Sequence, residues 1–189
     1  SYHNPALVAK VIAANDYFAS NYYANPSTAD AAWGGNFGNS GWAIHLLLPE
    51  LQSSLDVAQN FGVGGNVTRR KAWGDMLLAS RDYGRFNRNT LSNQGLISGT
   101  SIYWANRGLL DLGNASALSE SEGQRYLLEA IGLAPWLGSD LPGGGHSYLH
   151  GTNYFQVTPK GLTREWGYVG IAYGEMQFYA ADFYSWTTN

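Results

Sequence analysis

The sequence predicts an all-α fold of stacked helical hairpins with long loops gathered at one end. Three observations carry that expectation. Apolar residues recur at helical spacing in six stretches. No stretch shows the strict alternation of a half-buried strand. The connecting segments are of two kinds, short turns and long glycine-rich loops. At 189 residues the chain is long enough for one domain with a real core, and 1–189 is read as that single domain.

Each element has its own local reason. Asn4-Pro5 is a helix opening, a capping side chain followed by proline, and Leu7, Val8, Val11, Ile12, Tyr17 and Phe18 carry the helix to about Tyr23. The stretch from Ser27 to Gly41 has too many glycines for a helix and reads as a long loop carrying Trp33. A second helix is expected from Ser40 to about Gln59, kinked at Pro49 and holding a buried, satisfied His45. Asn66 is expected to cap a third helix ending near Arg81, followed by an Arg- and Asn-rich loop. Its Arg81, Arg85 and Arg88 either clamp an anionic ligand in bidentate fashion or pair with Asp75 and Asp82. The fourth helix runs from about Asn93 to Leu112. Within it Asn106 must bond a neighbouring helix or face a wet cleft, because a buried amide without a partner is costly. Ser119 and Glu122 form a capping box for a fifth helix, Glu120 to Ala134, stopped by Pro135, and a last helix is expected from about Gly167 to Trp186.

Composition narrows the ligand class. Only 13% of residues are charged while Tyr, Trp, Gly and Asn are abundant, which describes a surface of aromatic faces and amides suited to carbohydrate. Net charge is -3 and the longest basic run is Arg69-Arg70-Lys71, so no nucleic-acid footprint is present. Cysteine is absent, which removes disulfides and thiolate metal sites, and the four scattered histidines give no metal-ligand pattern. No cofactor or metal is implied. No apolar run approaches the ~20 residues that span a bilayer, so a membrane partner is not expected. Sequons at Asn66 and Asn114 agree with a secreted, extracellular protein in mature form.

The stretch from Gly143 to Tyr184 reads as the site. It displays His146, His150, Asn153 and Tyr154 on a glycine-rich loop, adds an Arg164-Glu165-Trp166 turn, and sets Tyr173 among Gly170, Ala172 and Gly174.

Ser-Tyr-Leu-His150 on that loop, Tyr-Val-Gly-Ile-Ala-Tyr173-Gly after it and Ala-Asn106-Arg107 upstream together resemble the active-site signature of polysaccharide lyases with an α/α-toroid fold. These are the hyaluronate, chondroitin and xanthan lyases and the related glucuronan and alginate lyases. The resemblance spans roughly Asn93 to Tyr184. It implies an incomplete or reduced α/α toroid, a fragment of a longer one or one completed by a second polypeptide, and β-elimination on an anionic, uronic-acid-containing polysaccharide, glucuronan or alginate first. Asn106 would neutralise the uronate carboxylate, assisted by Arg107 or Arg164, with Asn93-Gln94 as a second candidate pair. His150 and Tyr173 would divide the acid-base work, Arg164 favouring the phenolate, with His146 a rival to His150. Trp33 and Trp42 would stack on sugar rings, and Arg88 would bind substrate.

Two other readings compete. An inverting glycoside hydrolase needs two carboxyl groups about 6.5–9.5 Å apart, for which Asp30, Asp75, Asp82 and Glu165 are the candidates. A non-catalytic carbohydrate-binding protein would use Trp33, Trp42 and Trp166 for stacking alone.

Overall fold

The computed structural model describes residues 4–27, 37–88, 92–160, 163–164, 168–169 and 185. Of Ser92, Asn93, Thr163, Arg164, Tyr168 and Val169 it describes the backbone only. The described chain is mostly helical, with six α-helices and three short antiparallel hairpins.

Helix α1, Pro5–Ala24, is opened by Asn4, whose side chain accepts from the Ala6 amide, with proline in the first turn. Val8, Val11, Ile12, Phe18 and Tyr22 turn to the core, whereas Leu7 and Tyr17 face solvent. The stretch expected to be one kinked helix is two, α2 (Gly38–Leu46) and α3 (Leu48–Leu55). Pro49 has no amide hydrogen to continue the ladder and sits in the first turn of the new helix, with Leu47 capping both. Ala58–Asn60 (β1) then pairs with Asn66–Thr68 (β2). That pairing commits Asn66 to a strand, so Thr68 and not Asn66 caps α4, Arg69–Phe86, accepting from the Lys71 amide. The helix also runs one turn past Arg81.

Helix α5, Ser92–Asp111, is uninterrupted at Asn106 and packs against α2, α4 and α6, the last spanning Glu120–Ala130. The capping box of Ser119 and Glu122 forms as the sequence predicts. The helix ends four residues before the expected Ala134. Gly132 adopts φ +76, its amide bonds Glu129 O and the Leu133 amide bonds Leu128 O, a Schellman stop that precedes Pro135. Ser139–Asp140 (β3) pairs with His146–Ser147 (β4), and Thr163–Arg164 (β5) with Tyr168–Val169 (β6). The last pairing puts Tyr168 and Val169 in a strand where the first turn of the last helix was expected; an aromatic and a β-branched residue side by side suit a strand. The remainder of the expected last helix, except residue 185, and most of the loop from Ser27 to Gly41 lie outside the described residues.

The core is centred on α4 and α5. Trp73, Met76 and Leu77 pack with Ala105, Leu109 and Leu112, closed by Ile44 of α2, the cap residue Leu47, Leu51 and Leu55 of α3, Ala19 and Phe61. Each fully buried large apolar side chain contributes roughly 1.5–3 kcal/mol. Asp16 of α1 ties this core to α4, accepting from Arg69 Nε at 2.9 Å and from the Trp73 indole at 2.9 Å. A Cβ at Gly41 would stand 2.0 Å from Trp104 O, so α2 meets α5 backbone to backbone.

Candidate functional site

A cleft of about 400 Å³ opens where the end of α4, the exposed face of α6 and the β3–β4 hairpin meet. Arg85 comes from α4, Glu122, Arg125 and Tyr126 from α6, and Asp140 and His146 from the hairpin, whose Pro142-Gly-Gly-Gly145 tip forms the rim. The hairpin depends on Gly138. At φ +78, its Cβ would fall 1.9 Å from Ser147 O, so only glycine lets the two strands close. Gly143, Gly144 and Gly145 carry the tip through positive φ, and a Cβ added at any of them would meet nothing within 4 Å.

Asp140 is the hub. It is buried, and its Oδ2 accepts from the Tyr126 hydroxyl and from Arg85 Nε, while Oδ1 faces His146 Nδ1 at 3.0 Å and Arg125 Nη2 at 3.4 Å. Burial pushes its carboxyl up, but the bonds from Tyr126 and Arg85 and the charge of both arginines outweigh it and hold Asp140 below the ordinary carboxylate value. An ionised Asp140 fixes Nδ1–H on His146, leaving Nε2 as the acceptor of the ring. Burial first, then the bond to Asp140, pushes the Tyr126 phenol up to about 12, so it stays protonated at neutral pH. Glu122 is held low by Ser119 in its capping box. Arg85 Nε also reaches Tyr126 and Nη1 reaches Asp82, while Nη2 has no partner among the described residues.

Behind Asp140 runs a chain of buried ions. Glu129, fully buried, takes Arg125 on one oxygen and Arg88 on the other, the latter at 2.8 Å with both side chains closed to solvent. A second branch runs from Arg85 through Asp82 to Arg81 and on to Asn106.

The residues expected from the sequence divide among several places. His146 lies in the cleft. His150 is exposed on the following loop, stacked on Tyr154 at 4.4 Å with the rings 27° apart, and lies 5.9 Å from Trp136. Asn106 is buried with its amide committed: Oδ1 accepts from Arg81 and from the Leu118 amide, and Nδ2 donates to Leu118 O. The bond from Arg81 of α4 joins it to a neighbouring helix, the first of the two outcomes the sequence left open, and the bonds to Leu118 hold the segment between α5 and α6. Arg107, one residue on, points elsewhere. It pairs with Glu120 and Asp111 and approaches His45 Nδ1 at 3.2 Å, the same nitrogen that meets Asp111 at 2.8 Å. His45 is half-buried and satisfied there, beside Trp104 and the 40% exposed Trp42. Gln94 is half-buried in the first turn of α5. Arg88 is buried on Glu129, and Arg81 and Arg85 take Asp82, whereas Asp75 pairs with Lys71 and Tyr23. Trp33, Tyr173 and the side chains of Asn93 and Arg164 lie outside the described residues, as do Asp30, Glu165 and Trp166.

Sequence reasoning missed Tyr126, Arg125, Glu129 and Asp140. The three α6 residues look like core and solvated face of an amphipathic helix. Asp140 had one readable signal, the Asp-Leu-Pro-Gly order that favours a tight turn just before the histidine.

Among the described residues no group of three or more His, Asp or Glu side chains could hold a metal ion, and no helix is long and apolar enough to cross a membrane. Comparison with protein-family models, curated proteins and solved structures returned no match.

Proposed function

We propose that the chain is a polysaccharide lyase, built on a reduced α/α toroid, that cleaves a uronic-acid polysaccharide by β-elimination, with glucuronan first and alginate second. The observation that carries the reading is the imidazole of His146, held at Nδ1 by Asp140, on the wall of a cleft whose Arg85 keeps an Nη2 without a partner among the described residues. The proton at C5 of a uronate leaves only if negative charge can spread into the adjacent carboxylate. A guanidinium already positioned at that carboxylate stabilises the charge as it develops, as an oxyanion hole does. In this reading Arg85 Nη2 meets the carboxylate and His146 Nε2 takes the C5 proton. The electron pair of the C–H bond forms the C4–C5 double bond as the C4–O bond breaks. The leaving oxygen takes its proton from the imidazolium or from the Tyr173 phenol. Asn106 then acts from behind, by fixing Arg81 and the α5–α6 connection.

The cleft favours elimination over hydrolysis for a chemical reason. An inverting hydrolase needs one carboxyl group that stays protonated, and both carboxyls here, Asp140 and Glu122, are held below their ordinary values.

An absorbance screen of glucuronan, alginate, hyaluronan, chondroitin and xanthan tests the proposal, because the new double bond absorbs in the ultraviolet. Glucuronan or alginate should give that signal, and His146→Gln should lower its rate by about 10²–10⁴-fold with binding retained. New reducing ends without the double bond would assign hydrolysis instead. Binding without turnover on every polymer would assign a carbohydrate-binding module.

A further inference from the structure

Arg88 is in an unusual position for a guanidinium. Its side chain is fully closed to solvent, and it spends only Nη1, on Glu129. Among the described residues Nε and Nη2 have no hydrogen-bond partner, and neither does the indole Nε1 of Trp136. The guanidinium lies near two rings, 5.2 Å from the centroid of Tyr126 and 5.7 Å from that of Trp136. Three donor atoms without an acceptor among the described residues, two of them on a cation, are an expensive arrangement in a folded protein, and such groups point to a ligand. Nε and Nη2 also form the side-on edge of a guanidinium, whose two parallel N–H groups match the two oxygens of a carboxylate.

We propose that this edge of Arg88, with Trp136 Nε1, is a carboxylate-binding subsite for an acidic sugar. The inference rests on the lyase reading for its choice of ligand and extends it to a second acidic residue of the same polymer, beyond the one that meets Arg85.

The placement supports a link to the cleft. Tyr126 carries Arg88 against its ring and presents its hydroxyl to Asp140 in the cleft, while Arg125 lies 4.2 Å from the same ring. On the other side Trp136 borders the His150–Tyr154 stack, an aromatic surface of the kind on which sugar rings rest. The Arg88 amide donates to Ser139 Oγ of the β3–β4 hairpin at 3.0 Å. That bond ties the hairpin that lines the cleft to the backbone that carries the subsite.

The test reads the donors directly. In ¹⁵N NMR of the whole chain, the Arg88 Nε–H and Trp136 Nε1–H signals are assigned by their loss in Arg88→Lys and Trp136→Phe. Sodium glucuronate should shift both, whereas glucose and sodium chloride at equal concentration should not. Arg88→Lys keeps a cation for Glu129 but loses the side-on edge, and should bind glucuronate at least about tenfold more weakly. Trp136→Phe keeps the ring and loses one donor, and should weaken binding less; it also serves if Arg88→Lys fails to fold. Signals unmoved by glucuronate, or unchanged affinity in the folded variants, would mean that the edge holds water only and would overturn the proposal. The two readings fail separately. Glucuronate on Arg88 with no double bond formed from any polymer removes the lyase and leaves the subsite, and elimination with both signals unmoved does the reverse.

Discussion

At the scale of single residues, the buried carboxylate of Glu129 and the amide of Asn106 show what a low-dielectric surrounding does to polar groups. Glu129 sits between Arg88 and Arg125 with no access to water. Replacing it by Gln leaves Arg88 a buried cation without its counter-charge, and urea denaturation should show a loss of about 3–5 kcal/mol. Asn106→Ala removes three bonds at once and strands both the amide and the carbonyl of Leu118. A loss of about 1–3 kcal/mol is expected for each stranded group, read from the same denaturation curves. By contrast His146 is half-buried and, among the described residues, hydrogen-bonded through Nδ1 alone, so His146→Gln should hold its melting temperature while losing any turnover.

At the scale of elements, the crossing of α2 and α5 and the hairpin beside the cleft both depend on glycine for close backbone approach. Gly41→Ala pushes a methyl group into Trp104 O and must separate the helices, at a cost of about 1–3 kcal/mol or more. Its expected signature is a lower melting temperature with the cleft chemistry retained, since α2 contributes nothing to the cleft lining. Gly138→Ala breaks the β3–β4 pairing instead, and should reduce turnover far more than it reduces global stability, because Asp140 and His146 stand on those two strands.

At the scale of the whole molecule, the ionic network sets a pH window. Asp140 has its pKa lowered in the folded state. It therefore contributes stability above its unfolded value and loses that contribution as pH falls, so acid destabilisation is expected below about pH 4. The Tyr126 phenol is raised to about 12, so its contribution is intact below about pH 10 and lost as pH climbs toward 12. A stability profile from chemical denaturation should fall at both ends. Tyr126→Phe should remove the alkaline fall attributed to that phenol. Helical periodicity, the capping box and the Asn4-Pro5 start were legible in the residues because they are local, each decided within a few positions by spacing or by one side chain. The break at Pro49, the early stop of α6 at Gly132 and the capture of Asn66 by a strand were less so, since each turns on which of two local options the rest of the chain rewards. The histidine loop could be recognised as chemically loaded, and which imidazole faces the cleft could not. Asp140, Tyr126 and Arg85 come from three separate elements, and a carboxylate's partners across 14 and 55 positions leave no periodic trace. The amino-acid order by itself determined where most of the described helices lie, because spacing and capping act within a few positions. Tertiary structure alone decided that His146 faces Asp140 and that Arg88 is shut away with two of its three nitrogens unpartnered among the described residues, because the first turns on the register of one hairpin and the second on packing between segments 41 positions apart.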